Sequence, residues 1–317
     1  MPLLTLFTAP KPFTDPHIRL IQTNMLLNWQ ALGSDLEIVV IGDEPGIAEI
    51  CKAQGIRHLP KVRTNTMGTP LISSIFDLAR QANDSPFLAY ANADILFLPE
   101  LCDVVRLLGE EKGRFLAVGQ RYDLEVRETI DFSGDWADRL RKRIQQEGVL
   151  HGQSGSDYFI YPRACFQQIP DFAVGRAGWD NWMIYKARRE HWSVIDLTGT
   201  LTIVHQNHDY AHLPGGIVHF HQPETADNVR IGGGRRTIFR LSDATYQVRS
   251  GKLKRKPLTW ASFWREVEIF PLVWLHSRLF GWISFAVFHP VKAFGEVKGW
   301  AAYKIKQVGN RDGESVG

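Results

Sequence analysis

Cysteine is scarce in this chain. Cys51, Cys102 and Cys165 are the only three in 317 residues, far apart and odd in number. That excludes a disulfide framework and a cysteine-based zinc site, and it fits a reducing compartment. The start, MPLLTLFTAPKPF, lacks a basic n-region, so it reads as a first strand and not as a secretory signal. Internal repeats and low-complexity segments are missing. So is a clean membrane-spanning run. The most apolar stretch, 269–288, has His276, Ser277 and Arg278 at its centre and is interrupted by Pro271 and Gly281. An arginine at mid-bilayer costs about 2.5–3.5 kcal/mol on insertion scales. The net charge of +3 is too small to imply a partner, and no nucleic-acid partner is expected.

What is present is an ordinary globular composition, 44% hydrophobic and 22% charged, in a length that fits one large domain or two smaller ones. The charge is unevenly placed. Residues 250–317 hold 11 Lys/Arg and 5 Asp/Glu, whereas the rest holds 26 and 29. A basic tail follows a slightly acidic body. We expect a domain over 1–245 and a helical tail over 246–317.

Strand and helix patterns alternate through the first half. LLTLFTAP (3–10), LEIVVIGD (36–43), IRHLPKV (56–62) and the run from Phe87 read as strands. Residues 16–32, 45–54 and 70–83 read as helices. The expected fold is α/β, with a mostly parallel sheet flanked by helices. Further on, 114–126, 156–163 and 192–206 read as strands, and 134–148 and 177–190 as helices. In parallel sheets ligands bind beyond the carboxyl ends of the strands, where Asp43 and the Asn92/Asp94 pair are expected.

YANADILF, residues 90–97, interrupts an apolar run with an amide and a carboxylate. Asp94 at a strand end either caps the next turn or holds a divalent cation that neutralises a diphosphate. Asp180, between Trp179 and Trp182, is either a helix cap or a carboxylate tuned as a base. Asp157 opens a strand. His205, His208 and His212 share a helical spacing, and His219 and His221 an alternating one; HExxH is lacking. Gly232 to Arg236, GGGRR, reads as a loop but not as a P-loop or Rossmann fingerprint.

Taken in order, IGDE, NADILF, GWDNW, VHQNHDYAH, GGGRR and LSDAT resemble bacterial glycosyltransferases with the GT-A fold, over roughly residues 3–245. NADILF looks like the family's DxD element with its first Asp replaced by Asn. The resemblance implies transfer of a sugar from a nucleotide-diphosphate donor to a saccharide or lipid-linked hydroxyl acceptor, with inversion and with Mn²⁺ or Mg²⁺. It implies Asp94 as the main metal contact, Asn92 facing ribose or metal-bound water, and His205, in preference to His208, reaching the metal or the leaving diphosphate. Asp43 would bind base or ribose, and Thr8, Ala9 and Pro10 would line the nucleotide. Asp157 would bind donor sugar or acceptor. Asp180 would be the base, and Arg235 and Arg236 would clamp the diphosphate from a mobile loop. Two rivals remain open: a non-catalytic nucleotide-sugar-binding or scaffold protein, and a nucleotidyltransferase.

The tail concentrates aromatics. Residues 257–303 hold 12 of the chain's 36. Mixed with lysines, they fit helices lying in a membrane interface, over 257–306. The expected location is cytoplasmic, peripheral at the inner face of the cell membrane.

Overall fold

Leu4–Thr8 (β1) is buried along its whole length, the pattern of a strand covered on both faces. In the computed structural model, which describes residues 1–111, 113–208 and 222–299, β1 lies within a nine-stranded sheet. Leu36–Ile41 (β2) and Phe87–Ala91 (β4) flank it in parallel, and Arg57–Leu59 (β3) closes that edge. Beyond β4 come Tyr158–Pro162 (β9, antiparallel), Phe115–Val118 (β6), Ser193–Asp196 (β10), Tyr246–Arg249 (β12) and Lys252–Arg255 (β13). Five of the eight pairings are parallel, so the expected mixed α/β architecture holds. The β12–β13 hairpin belongs to this sheet. The first compact unit accordingly runs Met1–Pro257, past the boundary expected at residue 245.

Helices connect the strands. Pro16–Ala31 (α1) starts at Asp15, whose carboxylate accepts from the His17 and Ile18 amides, with proline at the first turn. Ile47–Gln54 (α2) ends on Gly55 at φ 66°, a conformation that favours glycine. Ile72–Ala82 (α3), Trp136–Glu147 (α5) and Trp179–Arg189 (α6) follow the expected periodicities.

Two faces of the sheet are filled differently. On one, Leu4, Leu6, Ala89 and Ile160 pack with Met25, Leu26 and Trp29 of α1. On the other, Phe7, Tyr90, Phe159 and Tyr161 form an aromatic layer with Phe76 of α3 and Trp179 of α6, at ring-centroid separations of 5.1–6.5 Å. Each such pair adds about 0.5–1.5 kcal/mol beyond burial.

A second sheet covers one end of the first. It contains Ile95–Phe97 (β5), Ile203–Gln206 (β11), Tyr122–Leu124 (β7) and Val149–Leu150 (β8). The stretch 114–126, expected as one strand, therefore divides between two sheets. Gly119 marks the break: a Cβ there would lie 2.5 Å from the Tyr158 hydroxyl oxygen and 3.0 Å from the Thr198 amide. Likewise the chain leaves the main sheet at Asn92–Asp94 and enters the second at β5. The interrupted apolar run is a corner.

Two helices add to those expected. Glu100–Gly109 (α4) buries Leu101, Val104, Val105 and Leu108, an i, i+3, i+4, i+7 stripe. Pro223–Gly232 (α7) buries Glu224, Asn228 and Gly232, so it has no apolar stripe to read.

The second unit, Leu258–Gly317, contains Trp260–Val273 (α8) and Arg278–Phe288 (α9). Ile269, Leu272 and Val273 are buried with Gly281 and Phe285. A Cβ on Gly281 would lie 2.4 Å from Leu272 Cδ2, so glycine sets the close approach of the two helices. No helix among the described residues is long and apolar enough to cross a membrane.

Candidate functional site

Because β1, β2 and β4 run parallel, their carboxyl ends open on one side of the sheet. A cavity of about 960 Å³ lies there. Ala9, Pro10 and Lys11 enter from the end of β1, Gly42 and Glu44 from β2, and Asn92, Ala93 and Asp94 from the β4–β5 corner. Asp157, Trp179, Asp180, His205 and His208 complete the same wall system.

Asp94, His205 and His208 form the densest cluster. Their ligand atoms all lie within 4.8 Å of one another. Asp94 Oδ2 is 3.2 Å from His208 Nε2 and 3.8 Å from His205 Nε2. Asp94 Oδ1 is buried and has no hydrogen-bond partner among the described residues. His205 Nδ1 lies 3.1 Å from Asp123 Oδ1, close enough for an ion pair but not aligned as a hydrogen bond, and Nε2 lies 3.8 Å from Asp94 Oδ2. Burial by itself would raise the Asp94 pKa, but His205, His208 and Lys11 outweigh it and hold the carboxyl well below the usual range. Burial opposes protonation of His205, yet Asp94 and Asp123 move its pKa up.

Asn92 belongs to a different set of contacts. Its Nδ2 donates to Asp157 Oδ1 at 3.0 Å, and its amide to the Asp157 carbonyl at 2.9 Å. The same Asp157 oxygen accepts from Arg121 Nη1 at 2.5 Å. Arg121 Nε donates to Asp123 Oδ1 at 2.8 Å, and His151 Nδ1 lies 2.8 Å from Asp123 Oδ2. An aspartate at 92 would set a carboxylate against Asp157. An amide there donates instead, which explains why the corner carries one acid and not two.

Asp180 sits in the first turn of α6, entered through Gly178 at φ 105°. Its Oδ1 accepts from the Gly178 amide at 3.2 Å. Burial pushes its pKa up to about 6; backbone amides at the helix start oppose the rise, and Asp157 adds to it. The aromatic layer that carries Trp179 and Tyr90 supplies the apolar setting.

Of the residues singled out from sequence, Ala9, Pro10, Asn92, Asp94, Asp157, Asp180 and His205 line this one cavity. Thr8 is fully buried in β1 and does not line it. Asp43 is exposed between Gly42 and Glu44 and is also outside the lining. Arg235 and Arg236 lie in a 3-10 turn, Arg235–Thr237; Ile238 and Arg240 reach the cavity in their place. The three glycines before them end α7: a Cβ on Gly232 would lie 3.1 Å from Trp182 Cδ1, and Gly233 and Gly234 have φ of 107° and 96°. His212, His219 and His221 fall outside the described residues.

Lys11, Arg121, Asp123, His151 and Asn181 join the site without having been singled out. Lys11 and Asn181 had a signal, since Lys11 follows Thr8-Ala9-Pro10 directly and Asn181 follows Asp180 within GWDNW. Arg121 and Asp123 read as ordinary alternating residues, because their partners are far away in sequence.

No family model matches the chain, and no curated protein matches it. Solved structures give distant likenesses. The crystal structure of S. aureus TarS 1-349 is 13% identical with a TM-score of 0.40, over 66% of this chain and 59% of that one. The crystal structure of S. aureus TarS gives 14% and 0.39, over 66% and 36%. TarS 1-349 in complex with UDP-GlcNAc gives 15% and 0.30, over 40% and 36%. This chain thus spans less than two thirds of each, and nothing about its chemistry follows from likeness at that level.

Proposed function

We propose that this chain is a glycosyltransferase, moving a sugar from a nucleotide-diphosphate donor to a hydroxyl acceptor in glycan or lipid-linked saccharide synthesis. The carrying observation is one cavity, at the carboxyl ends of three parallel strands, that gathers Asp94, His205 and His208 with Asp157 and Asp180. Its volume of about 960 Å³ suits a ligand of nucleotide-sugar size. Lys11, Arg121, Arg176 and Arg240 in its lining offer cations to an anionic donor. Ala9, Pro10 and Glu44 line the end proposed for the nucleoside, with Thr8 behind them and Asp43 at the rim. Arg235 and Arg236 are proposed to reach the diphosphate from the turn after α7.

In this reading Asp180 is the general base, and a pKa of about 6 suits proton abstraction near neutral pH. It takes the proton of the acceptor hydroxyl as that oxygen bonds to the anomeric carbon. The nucleoside diphosphate leaves with the bonding electrons, and attack from the opposite face inverts the centre. Asp157, fixed by Arg121 and Asn92, orients sugar hydroxyls.

The donor set around Asp94 fits a divalent cation, because a buried carboxylate oxygen lacks a partner among the described residues and two imidazoles converge on the other. Asp94, His205 and His208 would hold it, and it would supply charge neutralisation for the diphosphate. Two nitrogens favour Mn²⁺ over Mg²⁺, which prefers oxygen ligands.

The tail extends the reading to a peripheral membrane enzyme on the cytoplasmic side. Trp260, Phe263, Trp264, Val267, Phe270 and Trp274 of α8 and its end are exposed at helical spacing, Trp260 at 74%. Leu279, Phe280, Trp282, Ile283 and Val287 of α9 are exposed as well. An anionic lipid surface suits aromatics joined to a basic chain segment.

A thermal-shift screen of nucleotide sugars with and without Mn²⁺ tests the donor, since a ligand of the native state raises apparent stability. The true donor should then release nucleoside diphosphate when an acceptor is added. Pyrophosphate release would point to a nucleotidyltransferase, and binding without turnover to a non-catalytic binder. Asp94→Ala should fold normally and lose the Mn²⁺-dependent shift.

A further inference from the structure

A second cation already stands in the Asp94 cluster. Lys11 Nζ lies 3.2 Å from His208 Nε2, the same nitrogen that faces Asp94 Oδ2 at 3.2 Å. The lysine is held there by a built arrangement. Gln22 of α1, 1% exposed, accepts from the Lys11 amide at 2.7 Å and donates to the Lys11 carbonyl at 2.9 Å. This pair of bonds fixes the backbone and leaves the side chain lining the cavity.

Charge counting sharpens the point. The corner carries one carboxylate, Asp94, because Asn92 is committed to Asp157. Asp157 and Asp123 are both engaged by Arg121. One guanidinium offsets only one of those two carboxylates, so with Asp94 and Lys11 these groups sum to one negative charge, and a divalent ion added beside the ammonium would make that sum positive. Both cations would also need the same space, since a metal on His208 Nε2 sits about 2 Å from that nitrogen.

We propose that the Lys11 ammonium is the resident cation of this site, and that a divalent ion binds there only in competition with it. Lys11 thereby sets how strongly the site depends on metal. When an ion displaces it, the ammonium remains on the cavity wall, where it can meet an anionic group of the ligand. The inference rests on the cation-site part of the functional reading and is independent of sugar transfer.

Mn²⁺ binding by calorimetry, with no nucleotide present, tests it. The proteins are full-length wild type, Lys11→Met, which keeps the length and removes the charge, and Lys11→Gln as a second neutral variant. Thermal unfolding checks that each is folded. We expect both variants to bind Mn²⁺ at least tenfold more tightly than wild type, with one site each. Equal affinity in wild type and variants overturns the competition and leaves the cation site standing. Failure of all three to bind millimolar Mn²⁺ overturns both.

Discussion

Asn92 shows how a contact far away in sequence sets a side chain's identity. Its amide donates to Asp157, which Arg121 also holds. Asn92→Asp replaces a hydrogen bond with two facing carboxylates. We expect a loss of about 1–3 kcal/mol at pH 7, read by denaturant unfolding. The penalty should shrink in acid as one carboxylate of the pair takes a proton. Asp180 titrates in the same sense. Its folded pKa of about 6 lies above the 3.8 of a free side chain, chiefly through burial. Between those values the folded chain keeps a proton that the unfolded chain has lost. Stability from this site is therefore greatest below pH 3.8, falls toward pH 6 and stays lower above it. Asp180→Asn removes that cost. A full shift corresponds to about 3 kcal/mol, but Asp180 is only partly buried, so the gain at pH 8 should be about 1 kcal/mol. Turnover should drop about 10²–10⁴-fold with donor affinity retained, as expected for loss of a general base. A variant within a few-fold of wild type would remove Asp180 from that role.

At the scale of elements, α1 does more than cover the sheet. Its buried Asn28 accepts from the Phe97 amide at 2.8 Å and donates to the Phe97 carbonyl at 3.0 Å. Trp29 Nε1 donates to the Ile95 carbonyl at 3.0 Å. Together they complete the free edge of β5, the strand that follows Asp94. Gln206 continues the pattern, with its amide donating to the Asp94 carbonyl at 3.1 Å and its side chain donating to the Ile21 carbonyl at 2.8 Å. Polar residues on the inner face of α1 therefore set the corner on which the cation cluster stands. Asn28→Ala leaves two buried backbone groups unpaired and should cost about 2–4 kcal/mol. Amide exchange at Phe97 should rise more than at β1, because β1 keeps its ladder.

At the scale of the molecule, the chain joins a cationic edge to an aromatic helical pair. Arg249, Lys252 and Lys254 are exposed on the β12–β13 hairpin, and register puts them on one face of it. Apolar insertion together with basic residues gives stable attachment where one signal alone is marginal. Full-length protein should float with vesicles containing anionic lipid at low salt and release as salt rises. Removal of 258–317 should abolish flotation while nucleotide binding persists. Charge reversal at Arg249, Lys252 and Lys254 should weaken binding to anionic vesicles and leave the weaker binding to neutral ones unchanged. Failure of the full-length chain to float with anionic lipid would refute the membrane reading.

The sequence by itself determined the α/β alternation and helices such as α1 and α3, because periodicity is a local property of the chain; α4 carries an apolar stripe as well, although it was not among the helices expected. Asp94, Asp157, Asp180 and His205 were singled out there too, Asp180 and His205 through the family resemblance, and folding brings all four to one cavity. Tertiary structure decided the rest. Helix α7 buries Glu224, Asn228 and Gly232, which become legible only against Asn65, Arg176, Ala173 and Trp182. The split of 114–126 between two sheets follows from the Tyr158 hydroxyl beside Gly119. Lys11, Arg121 and Asp123 gain their places through contacts 36 to 197 residues away in the chain, including His208, Asp157 and His205. A side chain's charge is written in the sequence, but the partner that gives it a role is set by where folding brings distant strands together.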